Sequence, residues 1–291
     1  MTTSVQQLVR FVALLLAGAG AATGCGGSTA SGPPAIAASP QEQEATAGLV
    51  EHHRHHHHGG VTLLIAMSLD TIAVSPEQRA ALEKIRTDLH AQMEPARKAE
   101  QSLVNALADE LAAGALDPAK LDAALGQLTG ASATVHGASI DALNQLHAVL
   151  TPPQRAVLVD KLVAHWSVWQ KANGEDGDHL TYLSAELGLA QYQVDKIRAS
   201  LADAMKAVPR FDPQEVTAHI QAFGEAFEAP TFDAKTLTAG DAATSHMVGW
   251  GAARMVRFFE AVSPVLTPEQ RTKLVETLRM HANHDPSGQG G

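Results

Sequence analysis

A six-residue phrase occurs twice in this chain and constrains its fold more than any other feature. Leu150-Thr151-Pro152-Pro153-Gln154-Arg155 returns as Leu266-Thr267-Pro268-Glu269-Gln270-Arg271, 116 positions further on. A looser copy, Val74-Ser75-Pro76-Glu77-Gln78-Arg79, precedes the first long periodic stretch. Each reads as a helix start. Ser75, Thr151 and Thr267 stand at the N-cap, where a side-chain oxygen can accept from the free N–H groups of the first turn. Proline follows at the first helical position, where it forfeits no useful donor. Gln78, Gln154 and Gln270 stand three residues after the cap, the spacing at which a side chain can return to the cap's own N–H and close a capping box.

The segments between these starts carry apolar residues at helical spacing. Leu82, Ile85 and Leu89 form one stripe; Pro95 should break it, and Leu103, Leu107 and Leu111 resume it. Gly114 and Asp117-Pro118 mark a stop and a new start. Leu121, Leu125 and Leu128 lead on to Ile140, Leu143 and Leu146, with Gly126, Gly130 and Gly137 arguing against one unbroken rod. A helix from Thr151 runs through Val157, Leu158 and Leu162 to Trp166. Asn173-Gly174-Glu175-Asp176-Gly177-Asp178 reads as an internal boundary. Beyond it the layout repeats, with Val194, Ile197 and Leu201 on one stripe and a capping box expected at Asp212-Pro213-Gln214-Glu215. Leu274, Val275 and Leu278 match Leu158, Val159 and Leu162, and His281 matches His165, at the same 116-residue spacing. No run of alternating β-branched residues appears. The chain should be all-α.

Leu-Thr-x-x-Gln resembles the signature of the Spy/CpxP family of small helical periplasmic proteins. Val74–Gln78 and Leu150–Gln154 would supply it in the first half. Leu266–Gln270 and a degraded copy, Leu189-Ala190-Gln191-Tyr192-Gln193, would supply it in the second. The resemblance implies two tandem Spy/CpxP-like units, at residues 61–172 and 178–285, forming an elongated, pseudo-two-fold helical bundle. It further implies an ATP-independent chaperone or envelope-stress modulator. Its partners would be unfolded or misfolded envelope proteins or a sensor domain.

The N-terminus points to the same compartment. Arg10 followed by the apolar stretch from Phe11 to Ala22 fits a secretory leader and is too short to span a bilayer, which takes about 20 residues. Ala22-Thr23-Gly24-Cys25 resembles a lipobox, so residues 1–25 read as a lipoprotein-type signal segment with lipidation at Cys25. A lipid there would hold the protein to a membrane, facing the periplasm. Cys25 is the one cysteine, which excludes an internal disulfide. Residues 26–60 read as a flexible tether, rich in Gly, Ser, Ala and Pro until the tract at its end.

That tract holds His52, His53, His55, His56, His57 and His58. Imidazole suits zinc, nickel and copper, so the tract is a candidate metal site and the basis of a second reading, a metal-binding or metal-sensing lipoprotein. His281, His284 and Asp285 form a weaker candidate near the C-terminus. His90, His136, His147, His219 and His246 read as surface or satisfied core residues.

Charge and motif content narrow the function. The chain has 21 basic and 31 acidic side chains, a formal net charge of −10, which argues against nucleic acid. Protonating its 15 histidines would reverse that sign. Phosphate-loop, nucleophile-elbow and zincin motifs are all missing from the sequence, so no enzyme and no required cofactor are expected. With aromatic residues at 4%, the core should pack by aliphatic ridges rather than rings. A soluble form should be a monomer whose two halves serve as an internal pair.

Overall fold

The computed structural model describes residues 60–69, 71–174, 179–237 and 240–283. They are all-α, with no strand among them. The first half contributes α1 (Gly60–Leu69), α2 (Pro76–Gln92), α3 (Glu94–Ala113), α4 (Pro118–Ala133), α5 (Val135–Val149) and α6 (Pro152–Gly174). The second contributes α7 (His179–Leu187), α8 (Gln191–Ala204), α9 (Pro213–Glu228), α10 (Gly240–Val262) and α11 (Pro268–Ala282). The boundary expected at 173–178 falls largely on residues outside those described, as do residues 1–59.

The helix ends follow local chemistry. Ser75 accepts from the Gln78 N–H, with the Gln78 side chain back on the Ser75 N–H, so α2 opens with a complete capping box. Pro95 separates α2 from α3, which meet at Met93. Gly114 ends α3 in the left-handed conformation (φ 89°), which a side chain would strain, and Asp117 caps α4. The break between α4 and α5 comes at Thr134 rather than at a glycine. In the second half the corresponding stretch is continuous, as α10.

Two expectations are corrected. Asp212 caps α9 by accepting from the Gln214 N–H, but the box does not close. Glu215 instead turns to His246 of α10, 2.8 Å away, because its side chain finds a hydrogen-bond partner on a neighbouring helix in place of the cap N–H. The second correction concerns the core. One of the two main cores is built around rings despite the low aromatic content.

The two cores draw on both halves of the sequence. The first is leucine-rich: Leu103, Leu107 and Leu111 of α3 and Leu121 and Leu128 of α4 meet Leu183 of α7, Ile197 of α8, Phe259 of α10 and Leu274 and Leu278 of α11. The second gathers Leu64 of α1, Ile85 of α2, Leu146 of α5 and Leu158 and Leu162 of α6 around Ile220, Phe223 and Phe227 of α9 and Trp250 of α10. Trp166 and Trp169 stack at 4.7 Å between ring centres, and Phe211 stacks on Trp250 at 4.8 Å. All three tryptophans of the chain thus sit in this second core. Val157, placed in the α6 stripe, is 42% exposed, while its neighbour Leu158 is fully buried.

The halves are therefore interlaced. α3 lies antiparallel on α11, tied by Gln101 Nε2 donating to the Ala282 carbonyl (2.7 Å) and by Arg279 to Asp109 (2.9 Å). α9 lies antiparallel on α6, where Trp166 Nε1 donates to Thr217 Oγ1 at 2.8 Å. Those contacts are equivalent under the 116-residue shift, since 101 and 282 become 217 and 166 when the halves exchange. Between the cores, α4 and α10 cross closely. A Cβ on Gly249 would come 3.1 Å from Thr129 Oγ1, and Asp122 pairs with Arg257 at 2.6 Å.

Candidate functional site

The glutamines of the repeated phrase do more than cap. Gln78 and Gln154 face each other as a reciprocal amide pair, with Gln78 Nε2 donating to Gln154 Oε1 (2.8 Å) and Gln154 Nε2 to Gln78 Oε1 (3.0 Å). Each Oε1 also accepts the N–H of its own cap residue, Ser75 or Thr151, at 3.0 Å. Each Nε2 spends its second hydrogen on the main chain preceding the partner helix. Gln78 reaches the Val149 carbonyl at 2.9 Å, and Gln154 reaches Ala73 at 3.0 Å. A primary amide has two donors and two acceptor positions, and both glutamines use all four.

The second half builds the same clasp. Gln193 Nε2 donates to Gln270 Oε1 (2.8 Å) and to the Val265 carbonyl (2.7 Å). Gln270 Nε2 returns to Gln193 Oε1 (3.3 Å) and to the Gly188 carbonyl (3.3 Å). The Ala190 and Thr267 N–H groups complete the pattern at 2.8 and 3.0 Å. Ala190 has lost the hydroxyl cap, yet the glutamine three residues on keeps its place. Only glutamine offers this donor and acceptor set at this reach. The motif therefore preserves a junction between two helix starts, which one helix start viewed alone could not reveal.

The threonines differ in role. Thr267 Oγ1 accepts the Gln270 N–H at 3.3 Å as an N-cap does. Thr151 Oγ1 donates to Gln154 Oε1 at 3.0 Å, adding to the clasp. Arg155, the last residue of the phrase, is buried with its Nη1 2.6 Å from His147 Nε2 and 3.4 Å from the His147 carbonyl at the end of α5. A guanidinium suits that position because the C-terminal carbonyls of a helix present partial negative charge.

The histidines divide sharply. His136, His147, His165 and His219 are buried, all around the tryptophan-bearing core. His219 of α9 meets His136 of α5 edge-on, ring centres 5.8 Å apart. Burial, together with the neighbouring His136, holds His219 down at a pKa of about 4. His165 of α6 is held at about 4 by burial and then by Lys161. Its Nδ1 lies 2.6 Å from Ser68 Oγ, which also lies 2.8 Å from the Leu64 carbonyl. His165 drew attention in the sequence only as the counterpart of His281. Its burial depends on α1 lying across α6, which no local pattern encodes.

The metal candidates are not brought together by the described residues. Among them no group of three His, Cys, Asp or Glu side chains is arranged to hold a metal ion. His281 lies on the last turn of α11, at intermediate exposure. His52, His53, His55, His56, His57 and His58, like Cys25, His284 and Asp285, lie outside the described residues. Six imidazoles within seven residues remain a donor set chemically suited to zinc, nickel or copper. Among the described residues no helix is long and apolar enough to cross a membrane.

Comparison with known proteins gives one match. Residues 9–157 match the model of a family described as heavy-metal resistance. No curated protein and no solved structure matches. The matched span covers about half of the chain. It takes in the histidine tract, the first clasp and helices α1 to α5. The chain belongs to the heavy-metal resistance family, an all-helical family of Spy/CpxP-like proteins.

Proposed function

We propose that this protein is a metal-binding component of the cell envelope, in which His52, His53, His55, His56, His57 and His58 take up zinc, nickel or copper and the interlaced helical body carries them. The observation behind this reading is the family match, whose span from residue 9 to residue 157 includes the whole tract. Closely spaced imidazoles adapt to several coordination geometries and lose protons readily near neutral pH, so uptake should weaken as pH falls below about 6.5. A lipid on Cys25 would tether the tract to a membrane through residues 26–51 and keep it within reach of entering ions. Cys25→Ser should then shift the protein to a soluble fraction; if wild type is already soluble, the anchor is wrong.

The test compares the mature chain with a variant in which the six tract histidines are serine. Calorimetric titration with zinc, nickel or copper should show tight binding to the first only, and cells carrying the variant should lose metal tolerance. Equal binding by the two proteins would overturn the assignment.

A second reading is favoured by the two glutamine clasps. The resemblance to Spy/CpxP proteins through those residues supports an ATP-independent holding chaperone, in which two tandem copies in one chain replace a dimer. The paired, shift-related contacts of α3 with α11 and α9 with α6 are what two copies of one unit would make. On this reading the tract-substituted protein still suppresses aggregation of an unfolded client at stoichiometric ratio. Loss of suppression together with the tract would leave the metal reading alone.

A further inference from the structure

The two cores are built alike but differ in what they do with protons. Under the 116-residue shift, His136 corresponds to Ala252, His147 to Ser263 and His219 to Leu103. Only His165 has a histidine counterpart, His281. Buried imidazole is therefore concentrated in one core, and the same core contains Trp166, Trp169 and Trp250.

We propose that this core is an acid-operated device: on acidification the helices around His165 and His219 part and expose the tryptophan–phenylalanine cluster, while the leucine-rich core stays closed. His219 is 5% exposed and His136 is 6% exposed, and they meet edge-on between α5 and α9, one from each half of the chain. A proton on His219 would sit in an apolar seam beside a second imidazole. Among the described residues, the charged groups around the seam are mostly of the wrong sign to help. α6 brings Lys161 and Arg155, α1 brings the hydroxyls of Thr62 and Ser68, and α10 brings Arg254 and the exposed imidazole of His246. Glu215, one turn before His219 on α9, is committed to His246 at 2.8 Å. With a second imidazole beside it and Glu215 turned to His246, the cheaper response to a proton on His219 is to open and let water solvate it.

The sign is fixed by linkage. Both groups titrate at about 4 in the closed form, against an ordinary value of 6.5. The open form therefore binds more protons throughout that interval, and closure weakens as pH falls from about 6.5 to about 4. Above 6.5 the full stability is present. Each histidine raises the open population up to about tenfold per pH unit inside the window, and two raise it up to about a hundredfold. This inference does not depend on what the tract binds.

Because every tryptophan lies in the responsive core, fluorescence reads it directly. The experiment uses the full mature chain and, as a control for the exposed imidazoles, the same chain with the six tract histidines changed to serine. Between pH 7.5 and pH 4, tryptophan emission should shift to the red in both. Amide exchange should rise in α6 and α9 before it rises in α3 and α11. His219→Leu, which installs the residue found at the equivalent position 103, should reduce the steepness from about a hundredfold to about tenfold per pH unit. Emission unchanged down to pH 4, simultaneous loss of protection in both cores, or a His219→Leu profile identical to wild type would each overturn the proposal. Should His219→Leu fail to fold, the order of exchange in the wild-type chain decides alone.

Discussion

Gln193→Ala tests the clasp where it is most enclosed. Gln193 is 1% exposed, whereas Gln78, its counterpart in the first half, is only half-buried. Truncation removes the acceptor of the Ala190 N–H (2.8 Å) and the donor to the Val265 carbonyl (2.7 Å), and it breaks the reciprocal pair with Gln270. A typical intramolecular hydrogen bond contributes about 0.5–1.5 kcal/mol net, and a buried group left without a partner costs about 1–3 kcal/mol. Ala190 is exposed and Gln270 is partly so; both recover water, which leaves the Val265 carbonyl as the main orphan. The loss should be about 2–4 kcal/mol, against about 1–2 kcal/mol for Gln78→Ala. Gln193→Glu keeps the shape but sets a carboxylate oxygen against the Val265 carbonyl, so at pH 7 it should cost at least as much as alanine. The assay is urea denaturation, read as a lower midpoint at unchanged slope. A double cycle with Gln270→Ala should return a coupling of about 0.5–3 kcal/mol. If Gln193→Ala costs less than about 1 kcal/mol, or no more than Gln78→Ala, the paired amides are ornament to the packing.

Three further outcomes follow from the same contacts. Thr267→Ala should lower stability by about 0.5–2 kcal/mol as the N-cap goes, with Thr151→Ala toward the lower end because its hydroxyl only supplements Gln154; unchanged denaturation midpoints would deny both roles. Gly126 has open space where a Cβ would stand, so Gly126→Ala should stabilise by about 0.5–1 kcal/mol. Gly224→Ala, whose Cβ would meet Val159 Cγ1 at 2.8 Å, should cost about 1–3 kcal/mol, and thermal melts that rank the two the other way would refute the packing of α9 on α6. With α3 already held by α11 and α9 by α6 inside one chain, the form lacking residues 1–48 should sediment as a monomer in the presence of chelator; a stable dimer at micromolar concentration would show that the interlacing occurs between chains.

Helix content and several helix ends were legible because they rest on local chemistry. Ser75, Asp117 and Thr267 cap because their side chains reach N–H groups two or three residues away. Pro95 and Gly114 interrupt because of their own backbones. The 116-residue spacing also forecast, correctly, that positions such as Leu158 and Leu274 would be buried alike. What the sequence could not disclose is which buried stripe meets which. Leu107 carries the same pattern whether it packs on its own half or on α11, since apolar attraction has no direction and many pairings bury similar area. The same limit hid the second function of Gln78 and Gln154, whose amides join across 76 residues, and the burial of His165 under α1. It also hid the aromatic core. Three tryptophans and Phe211 are scattered from 166 to 250, and only the crossing of α6, α9 and α10 collects them, along with four buried histidines.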